Sequence, residues 1–229
     1  MYFSEKHGFL FIANPKTGSH SVQNALKELM PDGTGTKINF NGKVVTQYDV
    51  KQGVLGHATA SELKDAIGDE GWEMLNSMVV IRHPLSKLVS AYFFLRNGRL
   101  GQAFKIKGSK KIFSRSSRYF ISTLSAKILP FKLWAMFYPY KSNMAYMFDS
   151  KGRSIVKYIA RTEYLEEDFR RIMRKIGLDI EDFRLEKNNS SRHMPYDHYY
   201  TSKWFRHIMY AKVKDDLDFY SQVQKDLKS

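Results

Sequence analysis

The chain of 229 residues contains no cysteine, so disulfide staples and thiolate metal sites are excluded. Proline is sparse, and no Pro/Gly/Ser-rich linker, repeat or low-complexity tract divides the sequence. One compact domain over residues 1–229 is therefore expected, long enough to bury a full core. The seven histidines form no H-E-x-x-H pattern, so no metal is expected. The most informative absence is of acids. Between Glu73 and Asp149 there is none, while the same stretch holds 13 Lys and Arg. Elsewhere acids and cations nearly balance, so the net charge of +14 is a local property. A concentrated basic region steers anions toward a cleft and raises their local concentration.

Two strand-to-helix junctions stand out. In the first, Asn14-Pro15-Lys16-Thr17-Gly18-Ser19-His20-Ser21 follows the apolar run Phe9-Leu10-Phe11-Ile12. It precedes a helical pattern with Val22, Ala25, Leu26 and Leu29 on one face, stopped by Pro31-Asp32-Gly33. A tight Gly-bearing turn feeding a helix N-terminus makes a phosphate cradle: the first N–H groups point outward, the dipole favours an anion, and Lys16 adds a full charge. The nucleotide-hydrolase loop G-x-x-x-x-G-K-[ST] does not fit, because here Lys16 comes before Gly18. In the second junction the run Met78-Val79-Val80-Ile81 ends in Arg82-His83-Pro84, where a Mg²⁺ site would need an acid. The two together read as a metal-free nucleotide pocket for more than one phosphate group.

After Arg82, Pro84 suits the first position of a helix, and Leu85, Leu88, Val89, Tyr92 and Phe93 form its apolar stripe. Ser86, Lys87 and Ser90 are expected on the opposite, exposed side. There Arg82 and Ser90 could converge on one anion; taken singly, Ser90 reads as a solvated helix residue, and the loop at Lys16 turns the reading toward the anion.

These residues carry a resemblance. Pro15-Lys16-Thr17-Gly18-Ser19-His20-Ser21 is similar to the 5′-phosphosulfate loop of sulfotransferases that use 3′-phosphoadenosine 5′-phosphosulfate (PAPS). Arg82-His83-Pro84 with Ser90-Ala91-Tyr92 is similar to their 3′-phosphate motif, an Arg followed by a Ser eight residues later. The likeness extends to Ile159–Phe169 and to Asn189-Ser190-Ser191 with Tyr199-Tyr200, and is best with the carbohydrate branch, the heparan and chondroitin enzymes and their bacterial relatives. It implies an α/β fold like that of the P-loop nucleoside-triphosphate hydrolases, three layers with a central, mostly parallel sheet flanked by helices. It also implies PAPS held by Lys16, Thr17, Gly18, Ser19, His20, Ser21, Arg82 and Ser90, with Arg192 a further phosphate contact. At His20 the chain departs from the family, which usually has Thr or Ser there; an imidazole still donates one hydrogen bond.

His57 is the candidate general base. Val54–Ala58 reads as a short strand, and Thr59-Ala60-Ser61-Glu62 as a capping box opening the next helix, so His57 stands just beyond a strand's carboxyl end. A nearby helix N-terminus disfavours the imidazolium and keeps the ring able to accept a proton. The plain alternative is a histidine that only satisfies hydrogen bonds at a helix start. In the carbohydrate branch a histidine after the third strand serves as base, and His57 matches that place; the matching glutamate, Glu163, is expected near the site.

The remaining pattern predicts a strand at Lys43–Thr46 after the Asn41-Gly42 turn and another at Ile155–Ile159. Thr162 is expected to open a helix ended by Gly177, and Thr201 to about Leu227 to be helical, with Trp204, Ile208, Val213, Leu217 and Tyr220 as apolar positions. Lys187–His193 reads as a loop. The basic, aromatic region of about 97–150 is read as a helical insertion on the acceptor side, its aromatics packed on the core and its cations lining a groove. A peripheral membrane contact through Tyr119–Tyr138 is the competing use; no nucleic-acid signature accompanies the aromatics.

The expected reaction is sulfuryl transfer to a hydroxyl of a carbohydrate or glycolipid acceptor, with His57 taking the proton and Lys16 stabilising the leaving oxygens, without a metal. A nucleotide or sugar kinase, or a basic module for nucleic acid or membranes, remains the alternative. Eukaryotic relatives carry a membrane anchor; here Met1 leads directly into the first strand, and a cytoplasmic enzyme is expected.

Overall fold

The computed structural model describes residues 1–46, 49, 58–98, 115–180, 183–185 and 193–227. In chain order the elements are β1 (Tyr2–Ser4), β2 (Phe9–Ile12), α1 (Ser19–Leu29), β3 (Ile38–Phe40), β4 (Lys43–Val45), α2 (Ala60–Ile67), α3 (Asp69–Met74) and β5 (Asn76–Ile81). They continue with α4 (Pro84–Asn97), α5 (Arg115–Ile128), α6 (Phe131–Phe137), β6 (Tyr158–Arg161), α7 (Leu165–Lys175), α8 (Lys203–Lys212) and α9 (Lys214–Asp226). The chain divides into two compact units, Met1–His83 with Ser142–Ser190, and Pro84–Lys141 with Ser191–Ser229.

The first unit is built on a sheet of order β1-β2-β5-β6 among the described residues. β2, β5 and β6 are mutually parallel, and only β1 runs antiparallel, on the edge. Near-continuous apolar runs, Phe9–Ile12 and Met78–Ile81, are fully buried, as strands covered on both faces must be. Phe9, Phe11, Met78, Val80 and Ala160 pack with Val22, Ala25 and Leu26 of α1 and Phe169, Ile172 and Met173 of α7. Leu10, Ile12, Val79 and Ile81 alternate to the other face and are buried as well. The result is a mixed α/β fold with a mostly parallel central sheet flanked by helices.

Two expectations shift. Residues 155–157 are not strand: Ile155 N donates to Met147 O, Phe148 bridges Ser154, and Ile155 O accepts from Trp72 Nε1, so β6 begins only at Tyr158. Lys43–Val45 pairs with β3 in a separate two-stranded sheet, through a turn with Asn41 and Gly42 at φ 50° and 75°, the left-handed pair that tight hairpins require. Thr59 and Glu62 form the expected capping box of α2. The strand expected at Val54 to Ala58 falls, but for Ala58, outside the described residues.

The second unit is helical. Leu85, Leu88, Val89 and Tyr92 of α4 pack with Phe131 and Trp134 of α6 and with Tyr200, Phe205 and Met209. α4 meets α5, α6, α9 and the 3₁₀ turn Tyr196–Tyr199. That encirclement corrects the sequence reading: Ser86, Lys87 and Ser90 are buried, not solvated. Burial pulls the Lys87 ammonium down to about 7, against the pull of Asp216; its Nζ donates to Lys141 O at 2.9 Å. Asp216 also accepts from the Tyr140 hydroxyl. The C-terminal helical stretch breaks at Val213 into α8 and α9, and Trp204 is exposed rather than core. Among the described residues no helix is long and apolar enough to cross a membrane.

Candidate active site

Because β2, β5 and β6 are parallel, their carboxyl ends lie on one edge of the sheet, where open α/β sheets gather ligands. The chain leaves β2 into the Lys16 loop, β5 into Arg82 and β6 into Thr162. Lys16 and Gly18 both take positive φ, 67° and 83°, which folds the loop back toward α1. Gly18 is the N-cap and offers no side chain to the first turn, and the first bond into the helix is Val22 N to Gly18 O. The opening N–H groups of α1 are thus presented by the geometry that suits an anion.

The hydroxyls of Thr17 and Ser19 point inward. Both donate to Asn14 O, at 2.8 and 2.6 Å, and lie 3.3 Å from each other. They shape the loop; what they can offer a ligand in this arrangement is backbone. His20 is exposed at the start of α1, and Ser21 is buried one residue on.

Arg82 and Lys16 are brought together. Arg82 Nη1 donates to Lys16 O at 3.2 Å. Burial first, and then the Arg82 charge, hold the Lys16 ammonium down at about 8. Two cations this close raise each other's cost, and a multiply charged anion relieves both. The residues present therefore fit a phosphosulfate or phosphate group.

The frame around this pair was not legible as motif. Asn14 Nδ2 donates to Val80 O and to Asn143 Oδ1, both at 3.0 Å. Asn143 then pairs with the backbone of Arg82 as a strand would, its Oδ1 accepting from Arg82 N at 3.3 Å and its Nδ2 donating to Arg82 O at 2.9 Å. Thr162 Oγ1 lies 2.9 Å from both Thr17 O and Ile81 O, tying the loop to the end of β5. It therefore heads a 3₁₀ turn, Thr162–Tyr164, and α7 starts only at Leu165, later than expected. Glu163 Oε1 accepts from His83 N at 3.0 Å, which puts it at the β5–α4 turn. Below them Arg161 makes a two-pronged ion pair with Asp168 at 2.8 and 2.9 Å, both buried, with Tyr164 beneath the guanidinium. Asn143 carries no local sequence signal, and Thr162, expected only to open a helix, ties the loop to β5.

Of the other predicted residues, Ser90 is buried on α4 in the second unit, and His57 and Arg192 lie outside the described residues. Among the described residues no group of three or more His, Asp or Glu is placed to hold a metal.

No curated protein and no solved structure matches the chain. The model of the sulfotransferase family matches residues 1–225, which takes in nearly all of both compact units and both strand-to-helix junctions. Members of this family are transferases that typically take sulfate from PAPS. On that match, and on a loop whose lysine and partner arginine suit an anionic donor, the chain belongs to the sulfotransferase family.

Proposed function

We propose that the protein transfers a sulfuryl group from PAPS to a hydroxyl of a carbohydrate or glycoconjugate. The observation that carries this reading is the pairing of Lys16 with Arg82, two cations from separate junctions at one sheet edge. PAPS supplies an activated sulfate, so the protein's task is binding, alignment and charge stabilisation. The α1 N-terminus and Lys16 hold the 5′ end and stabilise the charge that grows on the leaving oxygens. Arg82 is assigned to the 3′-phosphate, and Ser90 and Arg192 join it on motif position alone. His57 accepts the proton of the attacking hydroxyl; this role rests on its place in the sequence and on the resemblance. Thr162, Asn143 and Glu163 keep the two turns in register, which in-line displacement demands.

Thermal denaturation with 3′-phosphoadenosine 5′-phosphate in chelator tests the reading. Stabilisation of about 2.7 kcal/mol is expected at a hundredfold excess over Kd, and Lys16→Ala should abolish it. Stabilisation only by ATP with Mg²⁺ would favour a kinase instead. A screen of acidic polysaccharides and glycolipids with labelled PAPS identifies the acceptor class. His57→Ala with near-normal turnover would remove that residue as base.

A further inference from the structure

Helices α5 and α6 are apolar on two sides. Their inward sides are ordinary core: Ala126 of α5, and Phe131, Trp134 and Ala135 of α6, are buried in the second unit. Their outward sides are apolar too. Ile121, Leu124 and Ile128 fall at i, i+3 and i+7 on α5, and Leu133 and Phe137 at i and i+4 on α6. Ile121 is 64% exposed, Ile128 69% and Phe137 77%. Five of the 12 large apolar side chains exposed among the described residues fall within these two adjoining helices. Exposed apolar residues are usually scattered; gathered on the outward sides of two adjoining helices they mark a surface that something covers.

The charge around this face selects the occupant. Exposed Lys132 flanks the apolar positions of α6, exposed Lys127, whose Nζ also donates to Arg96 O at 2.8 Å, flanks those of α5, and no acid occurs anywhere from Met74 to Phe148. A nucleic acid would satisfy the lysines but offers little to isoleucine and leucine side chains. A second copy docked through the same face would satisfy the apolar groups but set cation against cation, with no carboxylate to answer. A bilayer surface with anionic headgroups answers both at once, lipid chains taking the apolar side chains while Lys stems reach the phosphates. The 14 residues of α5 and seven of α6 are too short to span a bilayer and suit helices lying in the interface.

We propose that the outward face of α5 and α6 docks the protein on an anionic membrane surface. Membrane docking places the enzyme where an acceptor carried on a lipid would be met, and it stands apart from the donor chemistry because its test has no activity readout. The experiment is co-sedimentation of the full chain with vesicles of phosphatidylcholine alone or mixed with phosphatidylglycerol, at low and high salt. Binding to the mixed vesicles that weakens with salt is expected, with little on the neutral ones. Ile128→Asp combined with Phe137→Asp should lower that partition about tenfold or more with an unchanged thermal midpoint. Phe137→Ala, a milder truncation of an exposed side chain, should weaken it in the same direction and guards against misfolding of the double variant. The proposal is overturned by absence of binding to anionic vesicles at low salt, or by equal partition of the double variant. It is equally overturned if light scattering shows a dimer that the double variant dissolves, or if the variant loses duplex DNA rather than vesicles.

Discussion

At the sheet edge of the first unit, the side chains of Asn14, Thr17, Ser19, Asn143 and Thr162 are all taken up in hydrogen bonds to neighbouring backbone or to each other. On α5 and α6 the opposite holds, with Ile121, Ile128, Leu133 and Phe137 turned outward and contributing nothing visible to the core. The first arrangement is a rigid frame for two cations. The second is a surface whose side chains are held in reserve for something outside the chain. Single substitutions should therefore disturb stability and chemistry steeply at the first and hardly at all at the second.

The steepest loss is expected beneath the frame. Asp168→Ala would remove the carboxylate that pairs with the buried Arg161 guanidinium, a cost of roughly 3–5 kcal/mol, measurable by chemical denaturation. Next comes Lys16→Ala, which should lower sulfuryl transfer by about 10²–10³ without lowering the thermal midpoint, because the buried ammonium acts on the ligand and the loop is shaped by Thr17 and Ser19. If activity survives, the loop's charge is not what binds the donor. Asn143→Ala should cost about 1–3 kcal/mol, since it removes one of the two acceptors of Asn14 Nδ2 and the side-chain amide that pairs with the backbone N–H and C=O of Arg82. It should also raise the KM for the donor more than it lowers kcat.

A gentler effect follows from Lys16 titration. Burial and Arg82 lower its pKa from 10.5 to about 8, and a bound anion pulls it back up. Affinity for the 3′-phosphate nucleotide should therefore be steady below about pH 8 and fall above it, with proton uptake on binding that calorimetry in different buffers detects. In the free protein the sign is reversed. The unfolded chain holds the extra proton between about pH 8 and 10.5, so the Lys16 contribution to stability becomes less unfavourable as pH rises through that window. The smallest effect belongs to the other region: Ile128→Ser should change stability by no more than about 0.5 kcal/mol. A larger loss there would mean that the face is covered within the chain.

The two strand-to-helix junctions that frame the candidate site are legible because their signals are local. Phe9–Ile12, the Gly18 turn and the Val22/Ala25/Leu26 stripe follow one another within a short window, and so do Met78–Ile81, Arg82 and Pro84. Elsewhere neighbours in space decide. Ser86, Lys87 and Ser90 sit on the polar side of a helical wheel, yet α4 is packed on several sides and buries them. Residues 155–157 have strand composition, yet a turn to Met147 claims Ile155. The aromatics of the 97–150 region read as core, and Phe131 and Trp134 are, yet Phe137 is turned outward, because composition reports that a stretch is apolar and not what will cover it.

By itself the sequence determined the two strand-to-helix junctions, the cationic residues at each and the acid-free stretch between Glu73 and Asp149. Propensity, periodicity and charge act over a few residues and need no partner. Only the tertiary structure decided that Arg82 reaches the carbonyl of Lys16, 66 residues earlier, and that Asn143 bridges to Asn14 across 129. Those bonds exist because parallel pairing of β2 and β5 sets their ends side by side, and strand register is a property of the folded sheet, not of either segment alone.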